Sequence, residues 1–137
     1  MIVLDEQLLG RAIDRDIARW YRGPVRFILD LRPHTVIKDD GIPELLRQQS
    51  QPMFVTINER DFWQKIEADA RYCIVCFPLP DPRAREIPGM LRSLFRHPEF
   101  RTKAQRTGKV IRVTSEDICY YTTSDKRIEI IPLASKS

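Results

Sequence analysis

Apolar positions along the chain follow two periods in turn, and each period predicts a different element. Met1–Leu4 is a short apolar run that stops at Asp5 and reads as a buried strand. From Glu6 to Arg22 the apolar residues Leu8, Leu9, Ala12, Ile13, Ile17, Trp20 and Tyr21 recur near 3.6, predicting one helix that Gly23-Pro24 ends. Val25–Leu29 is a second strand closing on Asp30, and Leu31–Lys38, with Pro33, reads as an irregular connection. Asp39-Asp40-Gly41 then offers a helix start, with Pro43 in the first turn and Ile42, Leu45 and Leu46 as the apolar face up to about Gln49. Met53–Ile57 is a third strand and Glu59–Glu67 a short helix carrying Phe62, Trp63 and Ile66. Tyr72–Phe77 is a fourth strand, followed by a rigid Pro78–Pro82 turn and an amphipathic helix marked by Ile87, Met90, Leu91, Leu94 and Phe95. After Gly108 the period drops to two: Val110–Val113, Ile118–Thr122 and Arg127–Ile131 read as a strand meander.

Alternating strands and helices followed by a meander predict an α/β domain with a mainly parallel sheet and an antiparallel edge. The 137 residues, without repeat or linker, predict a single domain. Hydrophobic residues make up 42% of the chain and charged residues 31%, which excludes a disordered or collagen-like chain. No apolar run approaches the roughly 20 residues of a membrane span. Asp5 and Glu6 stand where a signal peptide would continue its apolar core, so a cytoplasmic protein is expected.

Charge changes this picture because it is uneven. Between Arg83 and Arg112 nine bases face two acids, a net +7 within a chain of net +4. The remainder therefore carries −3. An acidic body with a basic segment suggests a polyanionic partner held near an acidic centre, although a charge run is also what any solvated face looks like.

The acids follow the strands. Asp5 and Glu6 come after the first, Asp30 after the second, and Asn58, Glu59 and Asp61 after the third, while Asp39 and Asp40 open the helix that precedes it. Ligands of open parallel sheets bind at the carboxyl ends of the strands. An acid beside an apolar strand needs compensation, and a hard cation such as Mg²⁺ or Mn²⁺ supplies it. Each acid also has a plainer reading, as a cap or first-turn acid of the helix it precedes. Cys73-Ile74-Val75-Cys76 has metal or redox spacing, but a strand would point the two thiols to opposite faces, so Cys73, Cys76 and Cys119 read as core thiols. His34 and His97, each beside a proline, read as loop residues, and Trp20, Tyr21, Phe62 and Trp63 as packing residues. Tyr120 and Tyr121 fall on opposite faces of one strand, which leaves one of them open to exposure.

Three segments in order, Leu4-Asp5-Glu6-Gln7-Leu8, Asp39-Asp40-Gly41-Ile42-Pro43-Glu44-Leu45-Leu46 and Phe54-Val55-Thr56-Ile57-Asn58-Glu59-Arg60-Asp61-Phe62, resemble the small bacterial PIN-like proteins. The resemblance spans roughly the first 75 residues. It implies a three-layer α/β/α PIN-like domain over residues 1–137, with a motif-bearing half at 1–82, a basic helical segment at 83–112 and C-terminal strands at 109–132. It also implies a Mg²⁺- or Mn²⁺-dependent nuclease, RNA rather than DNA as substrate, and the toxin–antitoxin setting in which such proteins often form dimers. By position, Asp5, Asp40 (or Asp39) and Asp61 would be the metal-binding acids, and Glu59 or Asp40 would complete the shell or hold the attacking water. Thr56 would support the strand end, and Asn58 would orient phosphate or water. Arg92, Arg96, Arg101 and Lys103 are the candidate phosphate contacts, and the arginine helix is expected to border the acidic crevice. The chain departs from the pattern where the Thr56-to-Phe62 spacing is one residue long and where Asn58 takes the place of an acid. Those departures motivate an alternative, a PIN-like binding or regulatory module without catalysis. A signalling receiver is a third reading, opposed by Thr56-Ile57-Asn58 where a phospho-acceptor Asp belongs.

Overall fold

A computed structural model describes residues 1–33 and 37–133, and of Asp39 the backbone alone. The loop expectation for His34, part of the 31–38 connection and any role of the Asp39 carboxylate therefore lie outside the described residues.

Seven strands form one mixed sheet: β1 (Ile2–Leu4), β2 (Val25–Phe27), β3 (Met53–Thr56), β4 (Cys73–Cys76), β5 (Lys109–Val113), β6 (Asp117–Thr122) and β7 (Glu129–Pro132). Their spatial order is β2-β1-β3-β4-β5-β6-β7. The first five pair in parallel, and β5–β6 and β6–β7 pair antiparallel, as the change of period after Gly108 predicts. An order of 2-1-3-4-5 is doubly wound, and its topological switch point lies between β1 and β3.

Helices cover both faces because the parallel strands are apolar on both. On one face Ile2, Leu4, Met53, Val55, Cys73 and Val75 meet Ile13 and Ile17 of α1 (Ile13–Ala18) and Ile87, Leu91 and Leu94 of α5 (Ile87–Arg96). On the other, Val3, Phe54, Ile74 and Cys76 meet Ile28 of α2 (Ile28–Leu31), Ile42, Leu45 and Leu46 of α3 (Ile42–Arg47) and Phe62 of α4 (Glu59–Phe62). Burying each such aliphatic or aromatic side chain stabilises the fold by about 1.5–3 kcal/mol. Cys73 and Cys76 fall in different cores, as strand alternation requires, and all three cysteines are free and buried. No helix among the described residues is long and apolar enough to cross a membrane.

Helix lengths depart from the periodicity. The helix expected over 6–22 is a 3-10 turn at Glu6–Leu8, a break, and then α1. The break is carried by Gly10 at φ +78° and Ala12 at φ +59°. A left-handed alanine costs about 1–2 kcal/mol. Arg11 offsets that strain by bonding both the carbonyl and the carboxylate of Asp81, at 2.7 and 2.9 Å, across the sheet edge. The helix expected over 59–67 stops at Phe62, with Gln64 at φ +61°. The Tyr121 hydroxyl takes up the freed backbone, accepting from Gln64 N–H and donating to the Ile66 carbonyl. A further short helix, α6 (Lys103–Arg106), carries a Thr102–Gln105 capping box and lies within the 83–112 segment expected to be helical.

Candidate functional site

The carboxyl ends of β1 and β3 meet at the switch point, and the register there puts Leu4 beside Val55. One residue on, Asp5 and Thr56 lie side by side, and they are the only buried polar residues among those described. Asp5 extends the ladder, donating its N–H to the Val55 carbonyl at 3.0 Å, and its own carbonyl accepts from Leu8 at 3.0 Å. The chain therefore turns away immediately after it, leaving the carboxylate against the sheet end at 4% exposure.

That carboxylate accepts the Thr56 hydroxyl at 2.6 Å, and the Glu6 and Gln7 amides favour its charged form. Burial raises the Asp5 pKa above the ordinary Asp value; the Thr56 bond and the neighbouring backbone amides oppose the rise, and the Glu6 charge adds to it. Among the described residues no base lies within ion-pair distance of it. The Thr56 oxygen in turn accepts the Asn58 N–H at 2.9 Å. Asn58 caps α4, its Oδ1 accepting from Asp61 N–H at 3.2 Å while its Nδ2 donates to Asp61 Oδ2 at 2.8 Å. One hydrogen-bonded chain thus runs Asp61–Asn58–Thr56–Asp5. It starts on an exposed carboxylate and ends on a buried one.

Beside this chain opens a crevice of about 520 Å³ lined by Gln7, Arg11, Ile57, Asn58, Arg60, Asp61 and Asp81. Arg11 and Arg60 were not among the expected phosphate contacts. Their signal was available: each lies a few residues beyond a strand end, where such sheets bind ligands.

The remaining candidates are placed elsewhere. Asp40 is exposed in the 3-10 turn Asp39–Gly41 before α3 and does not line the crevice. Glu59 is held by Arg112, Nε to Oε1 at 2.9 Å, so it ties α4 to β5 rather than standing open to a water. Asp30 accepts the Phe27 N–H at 3.0 Å and caps its own helix, the plainer of its two readings. Arg92 and Arg96 are exposed on α5, whose buried side packs on the sheet face opposite the one that carries Cys76, Thr56's neighbour in register. Lys103 departs furthest from expectation. It lines a niche with Met1, Pro52 and Met53, at the amino ends of β1 and β3, the edge opposite the crevice. Lys103 therefore lies away from the acidic crevice, because the loop after α5 returns to the start of the sheet before β5 begins.

Among the described residues no three His, Cys, Asp or Glu side chains converge on a point. Mg²⁺, however, is commonly held by one or two carboxylates, with water and substrate phosphate completing its shell. A desolvated carboxylate without a cationic neighbour, joined through hydroxyl and amide groups to a second carboxylate, is an all-oxygen donor set of that kind. Asp5 and Asp61 are the two acids of that chain, and of the two only Asp61 lines the crevice.

Compared with known proteins, the chain matches no family model, no curated protein and no solved structure.

Proposed function

We propose that the chain is a PIN-like, Mg²⁺- or Mn²⁺-dependent nuclease that hydrolyses phosphodiester bonds, RNA before DNA, with Asp5 as its anchor. The observation that supports this most is the buried, uncompensated Asp5 carboxylate at the switch point of a doubly wound sheet. Burial without a counter-charge favours the protonated acid, and a bound cation is what would hold it ionised. When bound, the cation would activate water and neutralise charge on the scissile phosphate. Asp5 and Asp61 would hold it. Thr56 fixes the Asp5 carboxylate through its hydroxyl, and Asn58 fixes Asp61. Arg11, itself oriented by two bonds to Asp81, and Arg60 would contact substrate phosphates from the crevice wall. A cytoplasmic toxin restrained by an antitoxin, and a homodimer, belong to the same proposal through the sequence resemblance.

A second reading is a PIN-like module that binds without cutting. It is favoured by Asn58, whose amide is engaged as a helix cap where the resembling pattern has an acid, and by the lack of a third converging acid among the described residues. The receiver reading loses ground: β3 leads into Thr56-Ile57-Asn58 and β5 into Val113-Thr114, with neither an acceptor carboxylate nor a lysine.

Labelled single-stranded RNA incubated with the protein and Mn²⁺, against EDTA, separates the first two. Cleavage that EDTA abolishes and Asp5→Asn removes is expected. Binding without cleavage under every metal condition would hand the site to the second reading.

A further inference from the structure

The basic segment gathers at the amino edge of the sheet. Residues 97–109 carry Arg101, Lys103, Arg106 and Lys109 against one acid, Glu99. Among the described residues none of the four bases lies within ion-pair distance of a carboxylate, and Asp69, the acid near the start of β4, is already engaged by Arg71 and Arg47. Two of the cations are held stiffly. The Arg106 guanidinium lies 3.9 Å over the Phe95 ring and donates to the Phe100 and Arg101 carbonyls, and Lys109 Nζ lies 5.0 Å from the Phe100 ring and 4.9 Å from that of Tyr120. Burial lowers the pKa of both, so each charge is kept at a cost that an approaching anion would relieve. Beneath Lys103 and Arg106 is a niche of about 20 Å³ also lined by Tyr21, Gln51 and Thr107. That volume admits one oxygen-sized atom and no base.

We infer that this edge binds the phosphate backbone of a single-stranded nucleic acid, at a surface separate from the crevice and without reading base sequence. Four cations within thirteen residues suit a ligand that presents one charge every few ångströms, and the niche accepts a phosphoryl oxygen where a nucleobase cannot enter. The surface lies roughly 15 Å from the crevice by the rise of the strands between them, so a strand touching both would extend over several nucleotides. The inference holds whether or not the crevice cleaves.

Its test is binding of a fluorescent single-stranded RNA oligonucleotide in EDTA, by anisotropy across a salt series. Arg101 and Lys103 are both exposed, so Arg101→Gln with Lys103→Gln leaves the fold intact, as a thermal melt will verify. The double variant is expected to bind about tenfold more weakly, with a salt slope shallower by about 1.4. Arg92→Gln with Arg96→Gln, on the exposed side of α5, should bind as the parent does. Wild-type affinity and slope in the first double variant would overturn the inference, as would an equal loss in the α5 control. Displacement of the RNA by polyglutamate at equal charge concentration would also overturn it, in favour of an acidic protein partner.

Discussion

The two edges of the sheet solve opposite electrostatic problems. At the carboxyl edge β1 ends on Asp5, a buried acid with a hydroxyl partner and, among the described residues, no base within ion-pair distance. At the amino edge Asp69 is bonded by Arg71 through both carboxylate oxygens and its pKa is held below the ordinary Asp value, while a surplus of bases accumulates around Phe100. A carboxylate matched by its own protein is structural. One kept buried without a base has its pKa raised, and a bound cation would oppose that rise. On the proposed reading the difference between Asp5 and Asp69 separates an acid that would hold a ligand from one that serves the fold, and four substitutions sharpen it.

The largest effect is expected from Asp5→Asn, which should lower Mn²⁺-dependent RNA cleavage at least a hundredfold, about 2.7 kcal/mol of transition-state stabilisation. Thr56→Val comes next. It leaves the Asn58 N–H without its acceptor and Asp5 with one donor fewer, for about 2 kcal/mol of stability by urea unfolding. Because the Thr56 bond holds the Asp5 pKa down, its loss lets that pKa climb further. Under the proposed mechanism cleavage would need ionised Asp5 and would rise with pH through its pKa, so the Thr56→Val profile should shift to higher pH while Thr56→Ser keeps the parental one.

Glu59→Gln breaks a half-buried ion pair and should cost about 1 kcal/mol in the same unfolding assay. Its cleavage rate should stay within a few-fold of the parent, since the carboxylate serves Arg112. Asp69→Asn is the smallest, about 0.5 kcal/mol at neutral pH. The pH dependences of the two aspartates run in opposite senses. A lowered pKa gives stability that is present above the ordinary carboxylate range and lost as pH falls through the folded value, so the Asp69→Asn penalty should vanish in acid. A raised pKa gives stability that is complete below the ordinary carboxylate range and lost as pH rises through the folded value. Metal-free wild type should therefore lose ground to Asp5→Asn as pH rises. Parallel rather than opposed slopes would break the comparison.

Much of this was legible locally. Strand positions, the two-faced cores, the split of Cys73 from Cys76 and the antiparallel end all follow from side-chain period, which each segment carries within itself. Asp5 and Thr56 were legible because parallel strands place their carboxyl ends together. What escaped depends on partners far along the chain. The first helix breaks where Arg11 reaches Asp81, seventy residues away, and the fourth stops where Tyr121 supplies hydrogen bonds from β6. Composition located the basic segment in the sequence but could not say which edge of the sheet it would reach. That depends on how much chain α5 uses in crossing back, and the loop after it carries Lys103 past the crevice side altogether. Asp30 and Glu59 show the other limit: an acid after a strand looks the same in sequence whether it serves a ligand or its own helix.

The central claim is that Asp5 is kept buried for a cation. Titration of the metal-free protein with Mn²⁺, with the free-ion signal followed by electron paramagnetic resonance, tests it most directly. Wild type should remove one equivalent of Mn²⁺ from solution, and Asp5→Asn should bind at least tenfold more weakly while melting as a folded protein. Equal Mn²⁺ binding by the two proteins, or none by the wild type, would contradict it.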